Sequence, residues 1–133
     1  CKMIGLDVTE KAILNREDAE YFRALGTKAG QVVANILDFM LARFQNGGED
    51  ALMHDGLAVA VAAAPDLVTT KRYYVDCECQ GKYTRGHTYV ASNQLVYKKG
   101  EKPELCEVAL DLDLPRFKEF LKSTIANSIQ QAG

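Results

Sequence analysis

The sequence predicts a layered α/β fold in a single domain. Helix-like and strand-like segments alternate in the first half, strand-like segments with alternating side chains dominate the second, and an amphipathic segment closes the chain. Helices packed on a sheet give such a chain one shared core. A length of 133 residues suits one domain, and a hydrophobic content of 47% is enough to build that core.

The first elements are predicted from short apolar segments and capping residues. Residues Lys2 to Leu6 are apolar enough for a strand, with Asp7-Val8-Thr9 as its polar exit. Asn15 suits an N-cap because acidic residues fill the turn that follows it. That helix should run to about Leu25 and end at Gly26, a residue type favoured after helix ends.

A longer helix is expected from Thr27 to about Gln45. Apolar residues recur at steps of three and four, which predicts one broad apolar face. The members of that face are Val32, Val33, Ile36, Phe39, Met40 and Phe44. Residues 47–52 contain two glycines and should form an exposed loop.

The next helix should begin at His54-Asp55-Gly56. Asp55 suits an N-cap position, and the run from Leu57 to Ala64 is apolar on nearly every side. We therefore expect this helix to be buried against a sheet and to end near Pro65, which cannot continue it.

Strands should dominate the second half. Residues 68–79 alternate in polarity, 83–91 and 95–97 look like further strand pieces, and 106–112 alternate again. Asp113 should cap a final helix with Pro115 in its first turn. The inner stripe of that helix is predicted to be Phe117, Phe120, Leu121, Thr124, Ile125 and Ser128.

Charge and cysteine usage narrow the classes of partner. The formal net charge is −2 and basic residues are interleaved with acidic ones, which argues against nucleic acid as a partner. No stretch approaches the roughly 18 apolar residues of a membrane span, and no secretory signal is present. Cys77 and Cys79 lack the second ligand pair of a zinc site, so reduced thiols of a cytoplasmic protein are favoured over a thiolate metal site or a disulfide.

His54 and Asp55 are the candidate chemical groups. An imidazole can donate or accept a proton near neutral pH, and a carboxylate can bind a hard cation such as calcium. A dipeptide is a weak motif by itself. His54 could equally be a packed or exposed histidine without a role, and Asp55 could simply cap the helix.

Longer motifs resemble the inosine–uridine-type nucleoside hydrolases. Residues 52–60 are similar to the family stretch PLHDPLAVA, and residues 6–9 match the family's LDVT at about the right distance upstream. Residues 65–68, 73–78 and 84–86 follow the family order, and 108–113 with Arg116-Phe117 resemble VALDVDxxRF. The resemblance spans nearly the whole chain, in order.

This resemblance implies the C-terminal part of a layered, Rossmann-like nucleoside hydrolase fold, with a mixed sheet and flanking helices. Such enzymes hydrolyse the N-glycosidic bond of ribonucleosides and release ribose and the base. A calcium ion held by aspartates binds the ribose hydroxyls and the attacking water. By position in the motif, Asp55 would be a calcium ligand and His54 would protonate the leaving base.

The resemblance also implies a base-binding pair on the long helix. The two aromatic positions that flank the base in the family correspond to Met40 and Phe44 here. The first is no longer a tyrosine, which puts purine recognition in doubt, and ordinary core packing remains an alternative for both. Gly56 replaces a proline that is usual in the family, which could loosen the helix start.

The family's DxDxxxDD motif, which supplies most calcium ligands and the general base, does not occur in residues 1–133. Calcium prefers about six to eight oxygen ligands, so one carboxylate cannot hold it. We therefore expect residues 1–133 to form the C-terminal portion of a longer calcium-dependent enzyme, and to be inactive alone. A truncated, non-catalytic interaction domain that kept the fold is the alternative. By resemblance, the complete enzyme should be a cytoplasmic homo-oligomer, dimeric or tetrameric.

Overall fold

The computed structural model describes residues 1–43, 50–91 and 104–128. These residues form five α-helices, one 3-10 turn and six strands. The helices are α1 (Leu6–Thr9), α2 (Arg16–Ala24), α3 (Lys28–Arg43), α4 (His54–Ala63) and α5 (Leu114–Asn127), and the 3-10 turn is Pro65–Leu67. The strands are β1 (Lys2–Met3), β2 (Ile13–Leu14), β3 (Ala51–Leu52), β4 (Val68–Cys77), β5 (Thr88–Ala91) and β6 (Glu104–Leu112).

Four strands form a mixed sheet in the order β1-β6-β4-β5. β1 runs parallel to β6, while β4 is antiparallel to both β6 and β5. The long β4–β6 pairing extends from Val68 opposite Leu112 to Val75 opposite Glu104, with one register shift between Thr69 and Thr70. The predicted strand at 106–112 is confirmed, and the predicted strand at 83–91 is shortened to its last residues.

Two hydrophobic clusters hold the helices in place. The first packs α1 and α4 on the sheet and α5, and includes the fully buried Val8, Leu57 and Phe117. The second lies between α2, α3 and the small β2–β3 sheet, and includes the fully buried Phe22 and Leu37. Met53 and Leu121 pack against both clusters and so connect them.

The predicted start and end of α2 are confirmed. The Asn15 side chain accepts a hydrogen bond from the Asp18 amide, and the Asp18 carboxylate accepts one from the Asn15 amide, which forms a capping box. Gly26 follows the helix with a φ of 64°, a left-handed conformation that glycine adopts without strain.

The prediction for the N-terminal segment was wrong after Met3. Leu6–Thr9 forms the short helix α1 and is not the end of a strand. Val8 is fully buried in the first cluster, and Thr9 is only 4% exposed. A helical turn brings these two neighbours inward together, whereas a strand would point them to opposite faces.

Only part of the predicted apolar face of the long helix is buried. The buried residues of α3 are Gly30, Ala34, Leu37 and Leu41. Val32, Ile36 and Phe39 are at least half exposed, at 54%, 51% and 68%. The helix is apolar over a wide arc, and its close approach to α2 is at Gly30, where an added Cβ would lie 2.3 Å from the Phe22 carbonyl oxygen. Phe44 and the end of this predicted helix lie outside the described residues, as do the predicted strand at 95–97 and residues 47–49 of the predicted loop. The prediction of an exposed loop was wrong for Ala51 and Leu52, which form β3, with Ala51 fully buried in the second cluster.

Two expectations about α4 require correction. His54 is its first residue and Met53 precedes it as the N-cap, so Asp55 is not the cap but lies in the first turn. The helix is also not buried on all sides, because Leu57, Ala60 and Val61 face the core while Val59 is 71% exposed. Gly56 lies within the helix, so its replacement of proline does not prevent the helix from starting.

The final helix begins as predicted. The Asp113 side chain accepts a hydrogen bond from the Arg116 amide at 3.1 Å, and proline occupies the first turn. Phe117 is fully buried, and Phe120, Leu121 and Ile125 are partly buried against the two clusters, whereas Thr124 and Ser128 are exposed. All four cysteines are free thiols. Across the described ranges, no helix has the length and apolar character needed to cross a membrane.

Candidate active site

His54 is held at the start of α4 by a hydrogen bond to Thr9. The Nδ1 atom of the imidazole lies 2.7 Å from the Thr9 hydroxyl oxygen, although the two residues are 45 positions apart. This distance is typical of a well-formed hydrogen bond. The ring is half-buried, and within the described residues no second hydrogen bond to it is found, so Nε2 is the ring nitrogen available for a ligand.

Local backbone pairing explains why these two residues meet. The strands β2 and β3 pair with Ile13 opposite Leu52, and the Met53 amide donates to the Ala12 carbonyl at 2.9 Å. This ladder fixes the residues just after α1 beside the residues just before α4. Thr9, the last residue of α1, therefore lies next to His54, the first residue of α4.

His54 also lines a cavity of about 330 Å³ between α3 and α4. The other lining residues are Phe39, Met40, Arg43 and Leu52. Three of them belong to the last turns of α3, so the cavity has aromatic, thioether and guanidinium groups on one wall and an imidazole on the other. A planar, mostly apolar ligand with a few polar atoms suits such a lining.

Asp55 occupies a different position from its neighbour. Its side chain is exposed, it lies in the first turn of α4, and it is not among the residues that line the cavity. Within the described ranges its carboxylate makes no hydrogen bond or ion pair. The positive end of the helix dipole favours a carboxylate at this position.

An unpaired, exposed carboxylate is chemically suited to serve as one calcium ligand. The described residues contain no group of three or more histidine, cysteine, aspartate or glutamate side chains that could hold a metal ion. Asp55 therefore fits as one member of a larger ligand set, and the described part of the chain does not hold the rest.

The structure brings together only some of the residues that the sequence singled out. His54 and Met40 line one cavity, Asp55 lies beside it, and Phe44 lies outside the described residues. Sequence reasoning missed Thr9, Phe39, Arg43 and Leu52 as neighbours of His54. Thr9 was already part of a recognised motif, but its role as a partner of His54 depends on the β2–β3 register, which no motif shows.

A comparison with family models adds to this geometry. Residues 1–119 match the family described as inosine-uridine preferring nucleoside hydrolase. The chain therefore belongs to this nucleoside hydrolase family, as its motifs had indicated.

Relatives and solved structures agree with this assignment. A pyrimidine-specific ribonucleoside hydrolase RihA from Escherichia coli O17:K52:H18 is 40% identical over 122 residues, which are 90% of this chain and 38% of that protein. A purine-preferring ribonucleoside hydrolase from Gardnerella vaginalis superposes with a TM-score of 0.79 at 33% identity, over 95% of this chain and 39% of that one.

An inosine-guanosine nucleoside hydrolase shares the fold with a TM-score of 0.75 at 22% identity, over 94% of this chain and 39% of that chain. The predicted α/β class, with a mixed sheet and flanking helices, is thereby confirmed. The chain spans about two fifths of the length of the relatives it matches.

Proposed function

We propose that residues 1–133 are the C-terminal portion of an enzyme that hydrolyses the N-glycosidic bond of ribonucleosides to ribose and free base. The observation that carries this proposal is the imidazole of His54, fixed through Nδ1 at the edge of a cavity whose lining suits a nucleobase. Family membership supports the same chemistry. The relatives' names include both pyrimidine and purine specificity, so either class of base is a candidate substrate.

His54 acts in this proposal as the general acid. Cleavage of the glycosidic bond leaves positive charge on the ribose and negative charge on the departing base. A proton delivered from Nε2 to a ring nitrogen of the base neutralises that negative charge and eases bond breaking. Nδ1 is already hydrogen-bonded to Thr9, so Nε2 is the ring nitrogen that would contact the substrate.

Met40 and Phe44 are proposed to contact the base. Met40 lines the cavity beside His54, which supports its part of this assignment. Phe39 and Arg43 line the same wall, so the base would lie between α3 and His54. Methionine is flexible and polarisable, and can pack against the face or edge of an aromatic ring.

Asp55 is proposed as one ligand of a calcium ion. When bound, calcium would orient the ribose and lower the pKa of the attacking water. The single free carboxylate at Asp55 makes a weak site by itself, so the remaining oxygen ligands must come from elsewhere in the complete enzyme. We further propose that the complete enzyme is a cytoplasmic dimer or tetramer, with no nucleic-acid or membrane partner.

The test is release of free base from a panel of purine and pyrimidine ribonucleosides. The complete enzyme that contains these residues should release base, lose activity when calcium is chelated and regain it on calcium addition. The 133-residue chain, assayed in parallel, should be inactive. Hydrolysis by the isolated chain would contradict the proposed division of the site. A calcium-loaded, folded complete protein that cleaves no ribonucleoside would favour the non-catalytic domain.

A further inference from the structure

The Thr9 side chain is unusual because it is a buried hydroxyl aimed at the candidate general acid. Thr9 is 4% exposed and sits in the last turn of α1. Its oxygen lies 2.7 Å from Nδ1 of His54 and 3.4 Å from the carbonyl oxygen of Leu6. Buried polar groups are costly unless they are hydrogen-bonded, so the short contact to the imidazole satisfies Thr9 as well as His54.

A hydroxyl can serve both protonation states of an imidazole. It can donate its proton to an unprotonated Nδ1, or accept a hydrogen bond from Nδ1–H while its own proton turns to the Leu6 carbonyl. In the second arrangement Nδ1 keeps its proton, so the contact to Thr9 does not depend on whether Nε2 carries one. A valine side chain has nearly the same shape but can neither donate nor accept.

The surroundings of Thr9 keep this contact in place. Val8, its neighbour on α1, is fully buried in the same cluster as Leu57 of α4. The β2–β3 ladder and the Met53 amide bond to Ala12 tie the two segments together from the other side. These contacts hold the Thr9 hydroxyl in a fixed position beside His54, the first residue of α4.

We propose that Thr9 is a positioning residue that holds the His54 ring so that Nε2 faces the cavity lined by Met40 and Arg43. This proposal depends on the proposed function, because Thr9 acts only through His54 and does not touch the base. A ring free to rotate would spend much of its time with Nε2 turned away from the leaving group, and misplacement of a catalytic group lowers the chemical step.

The decisive experiment is a double-mutant cycle on the complete enzyme, with Thr9→Val and Thr9→Ser made in the presence of His54 and of His54→Ala. Thr9→Val should lower kcat about 10- to 100-fold with KM changed by less than about threefold. Thr9→Ser should restore most of the loss. In the His54→Ala background Thr9→Val should have almost no further effect, because the group that it positions is gone.

A second measurement is independent of catalysis. In the complete enzyme, the NMR relaxation of the His54 ring carbons, assigned by their disappearance in His54→Ala, can be compared with that of the exposed His87 in the same sample. The His54 ring should be rigid in the wild type and in Thr9→Ser, and mobile in Thr9→Val, while His87 is unchanged. Circular dichroism and thermal melts would show whether each variant remains folded.

The outcomes separate this inference from the proposed function. If the complete enzyme cleaves no ribonucleoside but the ring loses its rigidity in Thr9→Val, the hydrolase proposal fails while the positioning contact stands. If Thr9→Val lowers kcat equally with and without His54, or if Thr9→Ser restores nothing, Thr9 acts through packing and the inference is overturned. A His54 ring equally rigid in Thr9→Val overturns it as well.

Discussion

The ammonium group of Lys118 lies 2.7 Å from the carboxylate of Asp18, and so ties α5 to the start of α2. Lys122, one turn further along α5, contacts the other carboxylate oxygen at the same distance. Asp18 is only 3% exposed and also completes the capping box with Asn15. One buried carboxylate therefore joins a helix start to a distant helix.

This arrangement makes stability depend on pH in the acid range. Burial tends to raise the pKa of Asp18, but hydrogen bonds from Lys118, Lys122 and the Asn15 amide outweigh it and hold that pKa below the ordinary value of 3.8. A carboxyl with a lowered pKa in the folded state stabilises the fold above its unfolded pKa, and this contribution is lost as pH falls through the folded value.

Asp18→Asn should therefore lower the free energy of unfolding by about 2 kcal/mol at neutral pH. The difference between wild type and variant should persist down to about pH 4 and shrink below it. Urea titrations at a series of pH values measure this. Asp66→Asn is the control, because Asp66 pairs with Arg116 at the surface and should matter much less. If wild type and Asp18→Asn differ in free energy of unfolding as much at pH 2 as at pH 7, the account is contradicted.

Asp55 should be needed for calcium and for little else. Asp55→Asn in the complete enzyme should weaken calcium binding at least about tenfold, because one anionic ligand is lost. Its thermal stability without calcium should change little, since Asp55 is exposed and makes no hydrogen bond or ion pair among the described residues. Isothermal titration calorimetry measures the first effect, with Asp66→Asn as the matched carboxylate. Unaltered calcium affinity in Asp55→Asn would remove it from the ligand set.

Met40 should affect substrate affinity more than stability. It is half-buried and lines the cavity beside His54, so Met40→Ala should raise KM about tenfold through lost contact with the base. Met40→Tyr restores the aromatic residue usual in the family and should raise kcat/KM for purine nucleosides more than for pyrimidine nucleosides. Val32→Ala is the control, because Val32 is exposed on the same helix and does not line the cavity. Equal effects of Met40→Ala and Val32→Ala on KM would argue against base contact.

The exposed apolar side chains of α3 predict self-association of the isolated chain. Val32 and Ile36 are one helical turn apart and each is at least half exposed. At high concentration, sedimentation should give a mass above the 14.7 kDa of one chain. Ile36→Lys should shift the equilibrium toward monomer, while Gln31→Lys, which adds the same charge at an exposed polar site, should not. A wild-type chain that stays monomeric would show that this face is compatible with solvent.

The sequence predicted most of the fold because its signals there are local. Capping by Asn15 and Asp113, the turn at Gly26 and the alternation of residues 106–112 all act within a few residues, and each is confirmed. The errors arose where tertiary contacts decide. Leu6–Thr9 is helical, with Val8 and Thr9 both buried, and the buried face of α3 includes Gly30 and Ala34, which the apolar pattern did not single out.

The candidate site was predicted only in part for the same reason. His54 and Met40 lie apart in sequence and line one cavity, while their roles in the site stay predictions. The contact between Thr9 and His54 depends on how β2 pairs with β3, a register that residue patterns in either two-residue strand cannot specify. Asp55 likewise lies in the first turn because the helix starts two residues earlier than an N-cap at Asp55 would place it.

Leaving-group dependence of the His54→Ala variant tests the central claim most directly. In the complete enzyme, this variant should lower kcat on ribonucleosides by about 10²- to 10⁴-fold, because the base must leave with a proton. On p-nitrophenyl riboside, whose leaving group departs readily as an anion, the loss should be less than about tenfold on the same reasoning. Equal losses on both substrates, or no loss on either, would contradict a proton-donating role for the imidazole that Thr9 holds.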